Sequence, residues 1–516
     1  MALIAGRSAS VASRMVGAAG MPGVSHEAPP RSPQERTHSG GARYTGLLRR
    51  RGRPLTTADD WNRLHPRETR LDAGRARPSS SPVGGTYVPR PHRALLHHLA
   101  ESPMTASDAP AAAIEWIEGG GITTPLGFVA GGTYAQIKTY GADPRMDVGL
   151  LVAAGPCTVA GVFTRNQVVG ESVTWDRRVL AAGRPMRGLV CNSGNANTVT
   201  GEQGTRDCAR MAAIAAEVLG VTPEEILVAS TGVIGRPMPM EKLELGVRAV
   251  TPTADGGYLF TRAIMTTDTR EKTCAVRLAV GGRTYLVGGC AKGSGMIHPD
   301  MGTMFAFMTT DAPADRAWLE ATLREVTNRT FNMVDVDMDT STSDTALLFA
   351  SGAAGGDAIT ATHPAAAALA AAIEAVATRL ARAIAGDGEG ATALLEVIAE
   401  GAASTEDARR AARTISSSPL IKTMVTGRDP NWGRVMMAAG RSGATFDQRA
   451  ASVWIGEHCV LDHGQPTDVD LRLVSAAMSG EEVRLRIHLG TGEATATAWG
   501  CNMTSEYVSI NADYTT

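Results

Sequence analysis

From about residue 115 onward the sequence predicts a layered α/β fold, of the α+β kind, in which sheets pack under helices. Three observations carry that prediction. Short apolar runs closed by Gly or Pro alternate with stretches of helical spacing. Glycine at 57 residues and abundant alanine point to close backbone packing and many tight turns, whereas aromatic residues make up only 4%. A chain of 516 residues is long enough to bury a large core.

In chain order, GLLVAAGP (149–156) and RGLVCNSG (187–194) read as buried strands, each a short apolar run with a Gly or Pro stop. EQGTRDCARMAAIAAEVLG (202–220) has helical spacing and ends on a Gly, a good C-terminal signal. EEILVAS (224–230) is a strand that delivers Thr231 and Gly232 to its carboxyl end. CAVRLAVGGRTYLVGGC (274–290), two apolar runs joined by Gly-Gly-Arg, reads as a β-hairpin. It feeds AKGSGMIHPDMGTMFAFMTTDA (291–312). Two helices follow, the Ala-rich 363–385, stopped by GDGEG, and the shorter 405–415. VWIG, VDLRLV and EVRLRIHLG are strand-like and lead to the terminal YVSINADYTT. No repeat of 20 to 50 residues is visible.

Residues 1–103 differ from the rest. Segments such as SPQERTHSGG, RRRGRP and RPSSSPVGG are rich in Arg, Ser, Pro and Gly without a sustained period, so disorder is expected. A transit peptide, a basic interaction tail and an overlong translation starting at Met104 compete. Seven acidic residues weigh against the first, and a start at or near Met104 is favoured.

That segment carries 16 Arg and no Lys, a balance of +9, so the net charge of -2 leaves -11 for the remainder. An acidic body argues against nucleic acid as the main partner, because phosphate neutralisation needs clustered Lys and Arg. Seven cysteines (157, 191, 208, 274, 290, 459, 501) are scattered singly, without CxxC or a His at ligand spacing. They read as buried thiols of a reducing compartment. No apolar run approaches the length of a membrane span, so a cytoplasmic protein without a membrane partner is expected.

The chemistry concentrates around Met301-Gly302-Thr303-Met304-Phe305. A small residue before a Thr, followed by an apolar run, suits self-cleavage to an N-terminal Thr. A hydroxyl is a weak nucleophile without a base, and a liberated α-amine on the same residue supplies one, with an ordinary pKa of about 7.7 to 8.0. Taken alone, a Gly-Thr pair at a strand end is far more often a plain turn. ASTGVIGRPMPM (229–240) follows a strand and offers a Thr hydroxyl and a Gly N–H, the ingredients of an oxyanion hole, or else a strand-to-helix turn. CNSGNANTVTGEQG (191–204) could bind an anion or merely cap the helix that follows.

Eight blocks in order resemble the ornithine acetyltransferase family, whose bifunctional members add glutamate N-acetyltransferase activity. They are NSGNAN (192–197), STGVIG (230–235), AIMTTDT (263–269), AKGSGMIHPDMGTM (291–304), GDGEGAT (386–392), SPLIKT (418–423), DPNWGR (429–434) and INADYTT (510–516). The resemblance covers about residues 115–516. It implies a self-processed sandwich of sheets covered by helices. It implies cleavage between Gly302 and Thr303, giving an α chain (104–302) and a β chain (303–516), with Thr303 the nucleophile. Thr231 and Gly232 match the oxyanion pair, and Thr269, Lys292, Thr303, Glu389, Asn511 and Thr516 match positions that hold substrate. The implied reaction moves acetyl from N-acetylornithine to glutamate within arginine biosynthesis, without metal or resident cofactor. Acetyl-CoA is a candidate second donor, although no segment marks a pantetheine site. The implied assembly is a heterotetramer of two α and two β chains. Two departures stand out: Gly302 where the family usually has Ala, and Ser343 where Asn is usual.

Lys292, on a Gly-rich stretch, can reach toward a substrate α-carboxylate, and Glu389 between glycines suits an amino group. Asn511 and Thr516 would fray unless the tail is tied into the site, and such a tie is expected. His298 reads as structural because the α-amine already supplies a base. Asp335, Asp337 and Asp339 in VDVDMD would share one strand face, but the calcium-loop Gly and Glu are missing. Neither GxGxxG after a first strand nor GxxxxGK[ST] is present. An N-terminal-nucleophile amidohydrolase or aminopeptidase, and an uncleaved small-molecule-binding protein, remain the alternatives.

Overall fold

The computed structural model describes residues 113–138, 145–298 and 304–513. The readings of a disordered extension and a start at Met104 fall outside the described residues, as do Gly302, Thr303 and Thr516.

The chain runs through β1 (Ile114–Trp116), β2 (Phe128–Thr133), β3 (Val148–Phe163), α1 (Glu171–Ala181), β4 (Met186–Asn195), α2 (Gly201–Leu219) and β5 (Ile226–Val233). Next come α3 (Met240–Ala249), α4 (Gly257–Ile264), β6 (Lys272–Val280), β7 (Arg283–Lys292), β8 (Phe305–Thr310), α5 (Arg316–Arg329), β9 (Val334–Asp335) and β10 (Thr345–Ala350). The rest is α6 (Ala366–Ala385), β11 (Leu394–Ala402), α7 (Thr405–Ser416), α8 (Pro419–Gly427), α9 (Trp432–Gly440), β12 (Ser452–Ile455), β13 (His458–Asp462), β14 (Gln465–Pro466), α10 (Leu471–Ala477), β15 (Glu482–His488), β16 (Ala494–Cys501) and α11 (Ser505–Asp513).

One sheet has the order β1-β6-β7-β8-β10-β3-β4-β5, with β2 also paired to β3, and the other β14-β13-β12-β15-β11-β16-β9. The long strand β3 joins two parts of the first sheet, pairing with β2 and β4 early and with β10 over Thr158–Phe163. The sequence had suggested a stop at Gly155-Pro156, yet the strand continues. Pro156 is tolerated because the β3–β4 register shifts between Val152 and Cys157, where a ladder N–H can be missing.

Helix α2 buries Cys208, Met211, Ala212 and Ala215, the i, i+3, i+4, i+7 stripe, and ends at Gly220 with φ +67°. The Ala-rich α6 lies between the sheets, touching β6 and β7 of the first and β16 and β9 of the second. Its small side chains let both approach: Ala372, Ala377, Ala381 and Ala385 are buried along with Leu369, Ile373 and Leu380. Helices therefore separate the sheets as well as cover them. The β6–β7 hairpin turns on Gly281 (φ +58°) and Gly282 (φ +75°), the pair of positive angles that a two-residue turn of this twist requires.

VDLRLV is not a strand. Asp470 accepts a hydrogen bond from the Arg472 N–H and caps α10, of which only Val474 is buried. Leu471 and Leu473 stay half exposed, so the apparent alternation has no sheet to satisfy. Capping is stronger at α5, where Asp315 accepts from the N–H groups of Ala317 and Trp318. Asp315→Ala is expected to cost about 1 kcal/mol of stability in denaturant unfolding.

All seven cysteines are free thiols and six are buried. Among the described residues no helix is long and apolar enough to cross a membrane.

Candidate functional site

The ends of β4, β5 and β7, the loops around them and α11 line a pocket of about 180 Å³. Its reactive end is built by two parallel strands. β4 and β5 run side by side so that Ser193 pairs with Thr231 and Gly194 with Gly232. At Gly232 φ is +130°, and an added Cβ would lie 2.4 Å from the Gly194 carbonyl carbon, so only glycine fits. The NSGNAN loop holds this crossing together. Asn192 Nδ2 donates to the Asn195 carbonyl, Asn195 Nδ2 to the carbonyls of Arg236 and Pro237, and Asn197 Nδ2 to that of Gly204. Its asparagine amides thus bind backbone carbonyls, while Gly194 and Ala196 line the pocket.

Lys292 ends β7, paired with Phe305 at the start of β8. Its side chain is buried, and Nζ donates to Thr231 Oγ1 at 3.3 Å. Burial lowers the Lys292 pKa, with Lys272 adding to the effect and Asp268, Asp344 and Glu389 opposing it. Behind it lies an ion-pair network. Lys272 Nζ stands 2.6 Å from both Asp268 Oδ1 and Asp387 Oδ2, and Asp268 Oδ1 also accepts the Gly293 N–H. Burial alone would raise the Asp268 carboxyl, but Lys272 and Lys292 win and hold it well below the usual carboxylate range.

Glu389 comes from the turn after α6. Its N–H donates to the Ser294 carbonyl at 2.8 Å, and its Oε2 accepts from Asn511 Nδ2 at 2.8 Å. Gly390 (φ +69°) permits this closeness, since a Cβ there would lie 2.6 Å from the Tyr507 backbone nitrogen. The last described helix, α11, is therefore tied to the pocket through Asn511, while the rest of the expected tie, at Thr516, lies outside the described residues.

Of the residues singled out in the sequence, the pocket brings together Thr231, Gly232, Lys292, Glu389 and Asn511. Thr269 does not line it. Its N–H and hydroxyl both donate to Asp387, two residues from Glu389, so it braces the turn that carries Glu389. Gly302, Thr303 and Thr516 lie outside the described residues. Thr303 is one peptide bond upstream of Met304, whose N–H donates to Asp344 Oδ1 at 2.7 Å and whose carbonyl accepts the Thr345 N–H at 3.1 Å. Burial raises the Asp344 carboxyl well above its ordinary value.

The VDVDMD carboxylates do not share a strand face, because β9 covers only Val334 and Asp335. Asp335 is fully buried, 2.7 Å from His298 Nδ1 and 2.9 Å from Lys422 Nζ, so His298 is engaged with a structural carboxylate. Asp337 and Asp339 turn into the pocket wall, joined by Ser343, which the sequence had marked only as a departure, and by Tyr507 and Thr267, which it had not singled out. The run of alternating Asp was the visible signal for Asp337; nothing local marked Tyr507. Among the described residues no group of three or more His, Cys, Asp or Glu side chains is arranged to hold a metal ion.

Chemically, a hydroxyl beside a buried ammonium and a glycine-only backbone suits stabilisation of a developing oxyanion. A protonated Lys292 can only donate to Thr231 Oγ1, which leaves the threonine's own hydrogen free to point at a ligand. The carboxylates across the pocket suit a ligand with a cationic group.

The ArgJ family model matches residues 129–516. The arginine biosynthesis bifunctional protein ArgJ of Symbiobacterium thermophilum is 48% identical over 405 residues, covering 78% of this chain and 100% of that protein. Its namesake in Deinococcus radiodurans is 47% identical over 396 residues, covering 77% and 98%. Among solved structures, argJ of Bacillus halodurans is 39% identical with a TM-score of 0.40, covering 41% of this chain and 98% of that one. The ornithine acetyltransferase of Mycobacterium tuberculosis, solved with ornithine, is 38% identical with a TM-score of 0.34, covering 36% and 98%.

Proposed function

The chain belongs to the ArgJ family, and from that premise we propose that it transfers acetyl from N-acetylornithine to glutamate in arginine biosynthesis through an acetyl-threonine intermediate on Thr303. One observation carries the site assignment: the Lys292 ammonium, Thr231 Oγ1 and the glycine-only crossing at Gly232 meet in one pocket with Glu389 and Asn511.

Cleavage between Gly302 and Thr303 yields an α chain and a β chain that begins with the nucleophile. Thr303 Oγ attacks the acetyl carbonyl while its α-amine accepts the hydroxyl proton. Thr231 and the Gly232 N–H hold the negative oxygen. The carbon–nitrogen bond then breaks, the α-amine returns the proton to the departing nitrogen, and ornithine leaves an acetyl ester on Thr303. The amine of glutamate attacks that ester and yields its proton to the threonine oxygen, giving N-acetylglutamate and free enzyme. Donor and acceptor share an α-amino acid head, so one pocket serves both.

Asp344 and Thr345 support the reading by fixing both backbone polar groups of Met304, the residue next to the nucleophile. Glu389 receives a substrate amino group, Asn511 and Thr516 close the pocket from the tail, and Thr269 acts through Asp387. Two α and two β chains form the working assembly, no resident cofactor enters the cycle, and the free thiols suit the cytoplasm. Acetyl-CoA acts as a second donor to the same threonine.

The test is a denaturing gel with N-terminal sequencing and product analysis. Two fragments are expected, one of them beginning at Thr303, and acetyl should appear on glutamate with no free acetate. An intact chain that transfers acetyl at full rate would overturn the mechanism. Release of acetate irrespective of glutamate would make the protein an amidohydrolase, and processed enzyme inert with acetyl-CoA and glutamate would remove the second donor.

A further inference from the structure

Resting on the proposed acetyl transfer, we infer that Asp337 and Tyr507 form the wall that reads the substrate side chain, the Asp337 carboxylate receiving the terminal ammonium of the donor and the Tyr507 hydroxyl the terminal carboxylate of the acceptor.

The donor and acceptor share their α-carbon head and differ at the tail, where one ends in an ammonium and the other in a carboxylate. A pocket that serves both needs a wall able to meet either charge. Among the described lining residues the cation is Lys292, at the reactive end against Thr231, whereas Asp337, Asp339 and Glu389 are carboxylates. Such a pocket welcomes an ammonium and repels a carboxylate unless one of its own carboxylates takes up a proton.

Asp337 is placed to do so. Its Oδ1 accepts the N–H groups of Ile297 at 3.0 Å and Asp339 at 3.1 Å, which fixes the group in the wall. Among the described residues its Oδ2 accepts the Tyr507 hydroxyl alone, at 3.3 Å, and so keeps acceptor capacity for a ligand. Tyr507 brings a rotatable hydroxyl from α11, able to turn from Asp337 to an incoming carboxylate.

The charged and titratable groups around Asp337 come from several elements. Asp335 and Asp339 flank it in its own segment, Lys422 reaches it from α8, Cys501 from the end of β16, and Tyr507 from α11, where Glu389 is also felt. Lys422 is committed to Asp335. Burial, aided by Asp339 and Asp335, pushes the Asp337 carboxyl up to about 6 against its two backbone donors. Above that pH the wall is anionic and fits the donor's ammonium. Below it the carboxyl is neutral, and a bound acceptor carboxylate favours the same neutral form by raising the pKa further.

Steady-state kinetics of the processed full-length enzyme, with both substrates varied between pH 5 and 8, tests the assignment. In the wild type, KM for N-acetylornithine should fall about tenfold from pH 5 to pH 7, as a carboxyl titrating near 6 passes from one-tenth to nine-tenths ionised. Asp337→Asn should make that KM independent of pH, at or above the wild-type pH 5 value, without raising KM for glutamate. Tyr507→Phe should raise KM for glutamate by about tenfold to a hundredfold, in line with one lost hydrogen bond to a charged group, and change KM for N-acetylornithine by less than about twofold. A flat wild-type profile, or variants that raise both KM values in parallel, would overturn the wall even if a variant folds poorly. Wild-type enzyme that moves no acetyl between these substrates fails the underlying reaction itself, a different result from transfer without this KM split.

Discussion

Thr231→Val is expected to lower kcat for acetyl transfer by about 10²- to 10³-fold, or about 2.7 to 4 kcal/mol of transition-state stabilisation. Valine keeps the shape of the buried side chain and removes only the hydroxyl, so the β4–β5 crossing should survive. The loss should fall on kcat, with KM little changed, because the oxyanion exists in the transition state and not in the bound substrate. Thr231→Ser restores the hydroxyl and should recover activity to within about tenfold of wild type; its failure to do so would point to packing instead. Rates measured under saturating substrate on processed enzyme decide the matter. A variant with unchanged kcat and a raised KM would place Thr231 in ground-state binding and remove it from the oxyanion site.

Lys272→Met should be the most damaging change to stability away from the reactive threonines. Its ammonium is fully buried and stands between Asp268 and Asp387, so its removal strands two buried carboxylates. Breaking a buried pair from one side costs about 3 to 5 kcal/mol. The pH dependence has a definite sign. Asp268 is held below its ordinary range in the folded protein, so it contributes stability above its unfolded pKa of about 4 and loses it as pH falls through the lower folded value. In the variant the chief pairing cation is gone and burial favours the protonated acid. The deficit relative to wild type should therefore be largest near neutral pH and shrink toward about pH 4. Denaturant midpoints across that range measure it, and a deficit that grows on acidification would show that the network does not carry the charge described.

Much of the site could be read in the sequence because it is made of local chemistry. The β5 strand with Thr231 and Gly232 at its end, the hairpin leading to Lys292, and Glu389 between glycines are each set by a few adjacent residues. Other features needed the fold. Tyr507 is 170 residues from Asp337, and nothing in either segment encodes their hydrogen bond. Thr269 lies near the pocket in sequence terms, yet its partner is Asp387, 118 residues away. VDLRLV alternates like a strand, but a capping Asp470 and the lack of a partner edge made it helical. The period of an isolated six-residue run cannot separate those outcomes.

By itself the sequence determined the order of most elements and the placing of Thr231 and Gly232 at a strand end, because propensity and turn residues act over a few bonds. The tertiary structure decided which carboxylates became buried partners of Lys272 and Lys422 and which faced the pocket. That choice depends on desolvation and on side chains brought together from distant strands and helices, and the free energy of a charge is set by its surroundings and not by its neighbours in the chain.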